Sequence, residues 1–203
     1  MPTCGLRRFF PGPRLEAVSV CDTWFMTEAK VNGRVTETLR LVLRLFTPAD
    51  AGFVLQLVND PDWIRFIGDR NVHTPSDAHA YIQQRLMASY TRHGFGFWLV
   101  ERKSDGQGLG MCGLFKREGL DDVDIGFAFL PQYRGHGYAL ESAQASLAFA
   151  TNTLNLKRVV AITTVDNDRS AHLLEKLGLR FERLIRLPGD NEDVRLFATR
   201  AAT

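Results

Sequence analysis

The stretch Pro131-Gln132-Tyr133-Arg134-Gly135-His136-Gly137-Tyr138-Ala139 decides how this chain folds. Before it, Val123 to Leu130 is almost continuously apolar, the pattern of a strand buried at the centre of a sheet. After it, Leu140, Ala143, Leu147, Ala148 and Ala150 mark the apolar side of a helix predicted from about Tyr138 to Thr153. The segment therefore joins a strand to a helix. Gly135 and Gly137 let the backbone turn tightly and let a bulky group come close. The first N–H groups of the helix have no partner within it and carry the positive end of its dipole, which suits phosphate. Arg134 adds charge to such an anion site. The combination reads as a diphosphate cradle; for an isolated Gly-x-Gly the alternative is turn geometry alone. It is not a P-loop, because no Gly-Lys-Ser/Thr follows. As a dinucleotide fingerprint it is poor, because the third glycine position is Leu140.

Working outward, Leu39, Leu41, Leu43 and Leu45 alternate with Arg40, Val42, Arg44 and Phe46, which predicts a strand with one strongly apolar face. Thr47-Pro48-Ala49-Asp50 opens a helix carrying Phe53, Val54, Leu57 and Val58, and Asn59-Asp60-Pro61-Asp62 stops it. The same pattern at Thr74-Pro75-Ser76-Asp77 opens a second helix to about Arg92, with Ala78, Tyr81, Ile82, Leu86 and Tyr90 on its buried side. Strands follow at Phe97 to Glu101 and Gly108 to Phe115, then an acidic loop, Glu118 to Asp122. Beyond the glycine loop come a β-branched strand, Val159 to Thr164, and a helix opened by Asp166-Asn167-Asp168 and ended by Gly178. Strands at Phe181 to Leu187 and Val194 to Ala198 close the chain. The order β-α-α-β-β-β-α-β-α-β-β is that of a mixed α/β domain.

Composition narrows the classes. With 203 residues, 45% hydrophobic, 24% charged and a formal net charge of +2, the chain reads as one globular domain, large enough for a core without disulfides or metal. No apolar run of about 18 residues occurs, which argues against a membrane span. The charge is too balanced to point to nucleic acid as main partner. Cys4, Cys21 and Cys112 are odd in number and lack C-x-x-C spacing, so neither a disulfide framework nor a zinc site is expected. A reducing, cytoplasmic compartment follows. Arg7 and Arg8 are succeeded by Pro11, Gly12, Pro13, Arg14 and Glu16, which breaks any signal-peptide core. Residues 1–36 read as an irregular extension, with Met26 leaving open a later start, and residues 37–203 as the domain proper.

The loop 132–139 resembles the acetyl-CoA signature of the Gcn5-related N-acetyltransferases, the GNAT family. Asn167-Asp168-Arg169-Ser170 and Leu174-Glu175-Lys176-Leu177-Gly178 follow at the distance that family shows. The front half resembles the branch with the ribosomal-protein N-terminal acetyltransferases, through Asn59-Asp60-Pro61, Arg65-Phe66-Ile67-Gly68, Gly94-Phe95-Gly96-Phe97-Trp98 and Gly110-Met111-Cys112-Gly113-Leu114. The resemblance spans about Leu39 to Ala198. It implies the GNAT fold: a splayed mixed sheet of about seven strands flanked by about four helices, with acetyl-CoA as co-substrate in the gap between two parallel strands. It implies backbone contacts to the pantetheine arm near Phe129 and Leu130, one polarising the thioester carbonyl. Gln132, Arg134, Gly135, His136, Gly137, Tyr138 and Ala139 would hold the diphosphate, and Asn167 the cofactor arm. His136 is equally read as a solvent-facing side chain.

Amine acetylation by direct attack needs a neutral amine and a way for the thiolate to leave. The resemblance places Asp124 where this branch usually has glutamate. Being one methylene shorter, it would take the proton through a water; the other reading is a solvated strand-edge aspartate. Ser170 occupies a position proposed as proton donor to the thiolate; the other reading is a hydroxyl bonded to backbone. Leu174 excludes a tyrosine acid at that position. Phe66, Phe97 and Trp98 read as either an acceptor pocket or core. Glu141 reads as structural and Cys112 as core. The histidines form no ligand-like group, so no metal is expected. The expected activity is an acetyl-CoA-dependent N-acetyltransferase acting on a protein N-terminus or small amine through a ternary complex, in a monomer or homodimer. A regulatory acyl-CoA-binding domain without turnover is the alternative, and a nucleotide-binding module a third.

Overall fold

The computed structural model describes residues 33–200. Its eight strands are β1 (Arg34–Glu37), β2 (Leu41–Arg44), β3 (Phe97–Arg102), β4 (Gly108–Phe115), β5 (Val123–Phe129), β6 (Val159–Thr164), β7 (Arg180–Ile185) and β8 (Val194–Ala198). They form one sheet in the order β1-β2-β3-β4-β5-β6-β8-β7. The helices are α1 (Ala51–Val58), α2 (Pro61–Phe66), α3 (residues 75–93), α4 (Tyr138–Asn152) and α5 (Asp168–Lys176).

Two elements exceed the expected seven strands and four helices. Arg34-Val35-Thr36-Glu37 has little local strand signal, yet pairs antiparallel with the edge of β2 as β1. It straddles the boundary expected after residue 36; residues 1–32, with Cys4, Cys21 and Met26, lie outside the described residues. The turn between β1 and β2 contains Leu39, which is 91% exposed rather than on an apolar strand face. In β2 itself Leu41, Val42 and Leu43 are all buried, so the strand is covered on both sides. The second addition is α2. Asn59-Asp60-Pro61-Asp62 ends α1 as expected, but it also starts a helix: Asp60 Oδ1 accepts from the N–H groups of Asp62 (3.2 Å) and Trp63 (3.3 Å), and Pro61 fills the first helical position.

The second long helix follows its sequence signal. Asp77 N–H donates to Thr74 Oγ1 (3.2 Å), and Thr74 N–H donates to Asp77 Oδ2 (2.8 Å). Ala78, Ile82, Leu86 and Tyr90 are buried at four-residue intervals. The middle turns, Ile82–Met87, widen to a π-helix, and Gly94 closes the helix with φ +76°.

Helices cover both faces of the sheet. On one face Trp98, Cys112, Ile125 and Phe129 pack under α4 and α5, against Phe149, Ala150, Ala171 and Leu174. On the other, Leu99, Met111 and Leu130 pack under α1, α2 and α3, against Val54, Leu57, Trp63 and Ile82. Among the described strands one pair is parallel, β5 with β6. It is joined at Val123↔Val159 and Asp124↔Val160, and beyond these positions no pairing continues. The outer edges stay zipped, to Gly110↔Phe129 on one side and Thr164↔Val194 on the other. The sheet therefore splays open between β5 and β6, as expected.

Ladder phase determines what lines the gap. Leu130 N–H donates to Leu109 O (3.0 Å). By the antiparallel alternation, the even-numbered residues of β5 turn their backbone groups to β4, and Ile125, Phe127 and Phe129 turn theirs to the gap. On β6, Thr199 N–H donates to Val159 O (2.9 Å), so Val160, Ile162 and Thr164 face the gap from the other side.

Candidate active site

The glycine loop starts with a single 3₁₀ turn, Pro131–Tyr133. Gly135 and Gly137 then take φ +79° and +82°, the left-handed region where a side chain is strained. Gly137 occupies the N-cap position of α4 and its carbonyl accepts from Glu141 N–H (3.0 Å), but among the described residues no side chain caps this helix start. The N–H groups of Tyr138, Ala139 and Leu140 consequently have no intrahelical acceptor. A Cβ at Gly135 would meet nothing within 4 Å, so the space beside the loop is open. Gln132 and His136 are exposed and Ala139 is half-buried. Tyr138 is buried, its ring stacked on His136 (5.8 Å between centroids) and 4.6 Å from the Arg40 guanidinium carbon.

Two expected cofactor contacts are otherwise engaged. Arg134 does not point its charge at an anion site. Its Nε donates to Phe129 O (2.8 Å), its Nη1 to Asp62 Oδ2 (2.5 Å) and its Nη2 to Asp60 Oδ1. It ties the end of β5 to the start of α2. Leu130 has neither backbone group free: its N–H reaches Leu109 O, and its carbonyl accepts from Tyr133 N–H (2.9 Å). Phe129 keeps an N–H directed at the gap, while its carbonyl serves Arg134.

Asp124 sits where the strands part, opposite Val160 in the last parallel pair and opposite Phe115 on β4. It is 1% exposed, which overturns the reading of a solvated strand-edge residue. Oδ2 accepts from Arg117 Nε (2.8 Å), and Oδ1 is buried with no hydrogen-bond partner among the described residues. Burial raises its pKa above the ordinary carboxylate range, and the Arg117 charge and hydrogen bond only partly oppose this. An even-numbered β5 residue, it shares the α1–α3 face with Ala128 and Leu130. Phe97 lies on the same face, with its ring over Gly126 and stacked on Phe115 at 5.9 Å.

Ser170 and Asn167 begin α5, at the far end of β6. Asn167 Oδ1 accepts from Ser170 N–H (3.1 Å) as a helix cap. The Ser170 hydroxyl makes no hydrogen bond among the described residues and is half-buried. From Val160, level with Asp124, to Thr164 is four strand residues, about 13 Å. α5 packs on the α4 face, so Asp124 and Ser170 lie on opposite faces, joined through the gap. Of the expected acceptor aromatics, Phe66 on α2 is half-buried under the Arg65 guanidinium (4.7 Å), and Phe97 is half-buried. Trp98 is a correction: it is fully buried on the α4 face, edge-on to Phe149 at 5.1 Å, and lines no acceptor pocket. Strand alternation alone puts Phe97 and Trp98 on opposite faces.

Some participants carried no recognised sequence signal. Arg117 is brought to Asp124 by the β4–β5 hairpin, whose Phe115↔Asp124 register could have suggested it. Asp60 and Asp62 meet Arg134 only because α2 lies over the end of β5. Arg65 on α2 in turn pairs with Asp166 after β6 (2.8 Å), so this helix is tied to both lips of the gap. The acidic stretch is partly neutralised, since Asp122 pairs with Arg158 (2.9 Å). Among the described residues no group of three or more His, Cys, Asp or Glu is placed to hold a metal ion, and no helix is long and apolar enough to cross a membrane.

Comparison with known proteins agrees with this fold. The family model "Acetyltransferase (GNAT) domain" matches residues 40–180. The chain belongs to the GNAT acetyltransferase family. YnaD of Bacillus subtilis, described as an uncharacterised N-acetyltransferase, is 29% identical over 157 residues, covering 76% of this chain and 89% of that protein. A GNAT-family acetyltransferase from Bacillus anthracis superposes with a TM-score of 0.67 at 27% identity, over 80% of this chain and 95% of that one. The ribosomal-protein-S5-alanine acetyltransferase of Vibrio fischeri superposes equally well (TM-score 0.67) at 19% identity, over 81% and 94% of the two chains; at that identity the likeness is one of fold.

Proposed function

We propose that this enzyme transfers the acetyl group of acetyl-CoA to a primary amine by direct attack in a ternary complex. The observation that carries the reading is the open gap. An unpaired backbone edge, at Ile125, Phe127 and Phe129, runs to a loop that precedes an uncapped helix start at Tyr138. That geometry suits a ligand with an amide-bearing arm and a diphosphate, as acetyl-CoA has. The arm would add to the β5 edge through main-chain hydrogen bonds. The diphosphate would meet the α4 N–H groups and the loop from Gln132 to Ala139.

The acceptor would approach on the α1–α3 face, past Phe66 and Phe97. Its neutral nitrogen attacks the thioester carbon, the C–S bond breaks, and CoA leaves as thiolate. Asp124, through a water, takes the proton the nitrogen loses. Its raised pKa favours that role, because the base then lies closer to the operating pH. The Phe129 N–H is the one expected contact near the thioester left free to polarise its carbonyl. Ser170, with its hydroxyl uncommitted among the described residues, relays a proton from solvent to the thiolate from the opposite face, giving up its own proton as it takes one from water. A protein N-terminus and a small amine both fit a route open on that face. The Vibrio fischeri neighbour is named a ribosomal-protein-S5-alanine acetyltransferase. With Asp122 and Asp124 both paired to arginines, the acidic stretch gives little reason to demand a cationic acceptor.

The test is thiol release from acetyl-CoA with a panel of N-terminal peptides and small amines. Release with at least one acceptor, dependent on Asp124, is expected. CoA binding with no release for any acceptor would support the regulatory reading instead. Stabilisation by ATP or NAD but not by CoA in a thermal shift would overturn both.

A further inference from the structure

We infer that Arg40 supplies the cationic contact to the phosphates of the CoA moiety that Arg134, held by Asp60 and Asp62, does not supply. The inference rests on the acetyl-CoA reading above. Arg40 stands in the β1–β2 turn, about a hundred residues before the glycine loop, yet its guanidinium lies along that loop. Nη2 donates to His136 O (3.2 Å), and a Cβ on Gly137 would sit 3.4 Å from the same nitrogen. Its carbon stands 4.6 Å from the centre of the Tyr138 ring, a cation–π arrangement on the first helical residue of α4.

The group is held from behind. Glu141, one turn into α4, accepts from Arg40 Nε (2.7 Å) and from Arg40 N–H (3.1 Å), and Thr38 Oγ1 donates to it as well (2.5 Å). Those bonds hold the Glu141 carboxyl below the usual carboxylate range although partial burial acts the other way, so it stays charged and keeps the fork oriented. Nη1 donates to nothing among the described residues, and the side chain remains 45% exposed. A planar guanidinium held by one edge presents its other edge to an anion, which a lysine ammonium does not reproduce. Nearby cations are committed elsewhere: Arg102 to Asp105 and Lys103 to Glu37.

Glu141 provides the discriminating experiment, because it both positions Arg40 and repels phosphate. CoA is titrated into the full chain by calorimetry, at low and at physiological salt. Arg40→Gln is expected to weaken CoA binding about fivefold, with the difference shrinking as salt rises. Arg40→Lys should lose less, since the charge remains. Glu141→Gln keeps an acceptor oxygen for Arg40 Nε but loosens its hold while removing a charge that repels phosphate, so it should weaken binding clearly less than Arg40→Gln. If Arg40→Gln and Glu141→Gln weaken binding alike, Arg40 only braces the loop and the inference is wrong. It is equally wrong if Arg40→Gln binds CoA as the wild type does. Absence of CoA binding by the wild-type chain would instead overturn the acetyl-CoA reading itself.

Discussion

Replacing Asp124 with asparagine should separate catalysis from stability, because the two are expected to move in opposite directions. The carboxylate is 1% exposed, has one oxygen without a partner among the described residues, and is paired with Arg117 at 2.8 Å. Its pKa is raised by burial, which outweighs the arginine. With a folded-state pKa above the unfolded value of about 3.9, the native state binds more protons than the unfolded state in the window between them. Stability therefore falls as pH rises through that window, and the deficit persists at neutral pH. Each pH unit separating the two values corresponds to about 1.4 kcal/mol. Asparagine keeps the volume, removes the buried charge, and leaves an oxygen for Arg117, whose side chain is 30% exposed and can be hydrated. Thermal unfolding at pH 7 should thus show a melting temperature unchanged or higher, by about 2–4 °C per kcal/mol relieved. At pH 3 the gain should vanish, because the wild-type carboxyl is then neutral. Loss of a general base should lower kcat/KM by about 10²–10⁴. In the wild type kcat/KM should rise with pH as Asp124 ionises, and the variant should lack that limb while keeping the limb from acceptor deprotonation. A variant that loses stability along with activity, or keeps kcat/KM within about threefold of the wild type, refutes the reasoning.

Other consequences follow from single contacts. Gly135→Ala should lose about 1–2 kcal/mol in chemical denaturation, because φ +79° strains an alanine, and should weaken CoA binding about tenfold, because its methyl enters the open space beside the loop. Trp98→Ala should cost about 3–5 kcal/mol in the same assay without changing which acceptors are used, since the ring packs against Phe149 away from the Asp124 face. A shift in acceptor preference would show that the ring reaches the pocket after all. The Cys112 thiol, pushed up to about 11 by burial, should resist alkylation at pH 8 in the native protein and react on unfolding; mass spectrometry of the peptide containing it reads this directly.

Local signals were legible where local physics determines the outcome. Thr74-Pro75-Ser76-Asp77 started a helix because its hydrogen bonds span three residues. Val159 to Thr164 formed a strand because its β-branched run has few alternatives. Asn59-Asp60-Pro61-Asp62 was only half legible: an aspartate and a proline that end one helix are also the signature that begins the next. Arg34–Glu37 carried little signal at all, because an edge strand is induced by the free edge it joins.

By itself the sequence determined the order of all elements but β1 and α2, the tight turn at Gly135 and Gly137, and the free N–H groups at the start of α4. Each depends on φ angles and hydrogen bonds within a few residues. Tertiary structure alone decided which charges are free. Arg134 looks like the phosphate ligand until α2, 72 residues away in sequence, brings Asp62 to it. Arg40 looks like a strand-surface residue until Glu141 holds it against the loop. Asp124 was placed on a strand by the sequence, but its buried, half-paired state required the β4–β5 register and the divergence of β6 to exist first. The physical reason is the same in each case. An ionisable side chain takes its function from desolvation and from its partner, and both come from segments remote in the chain.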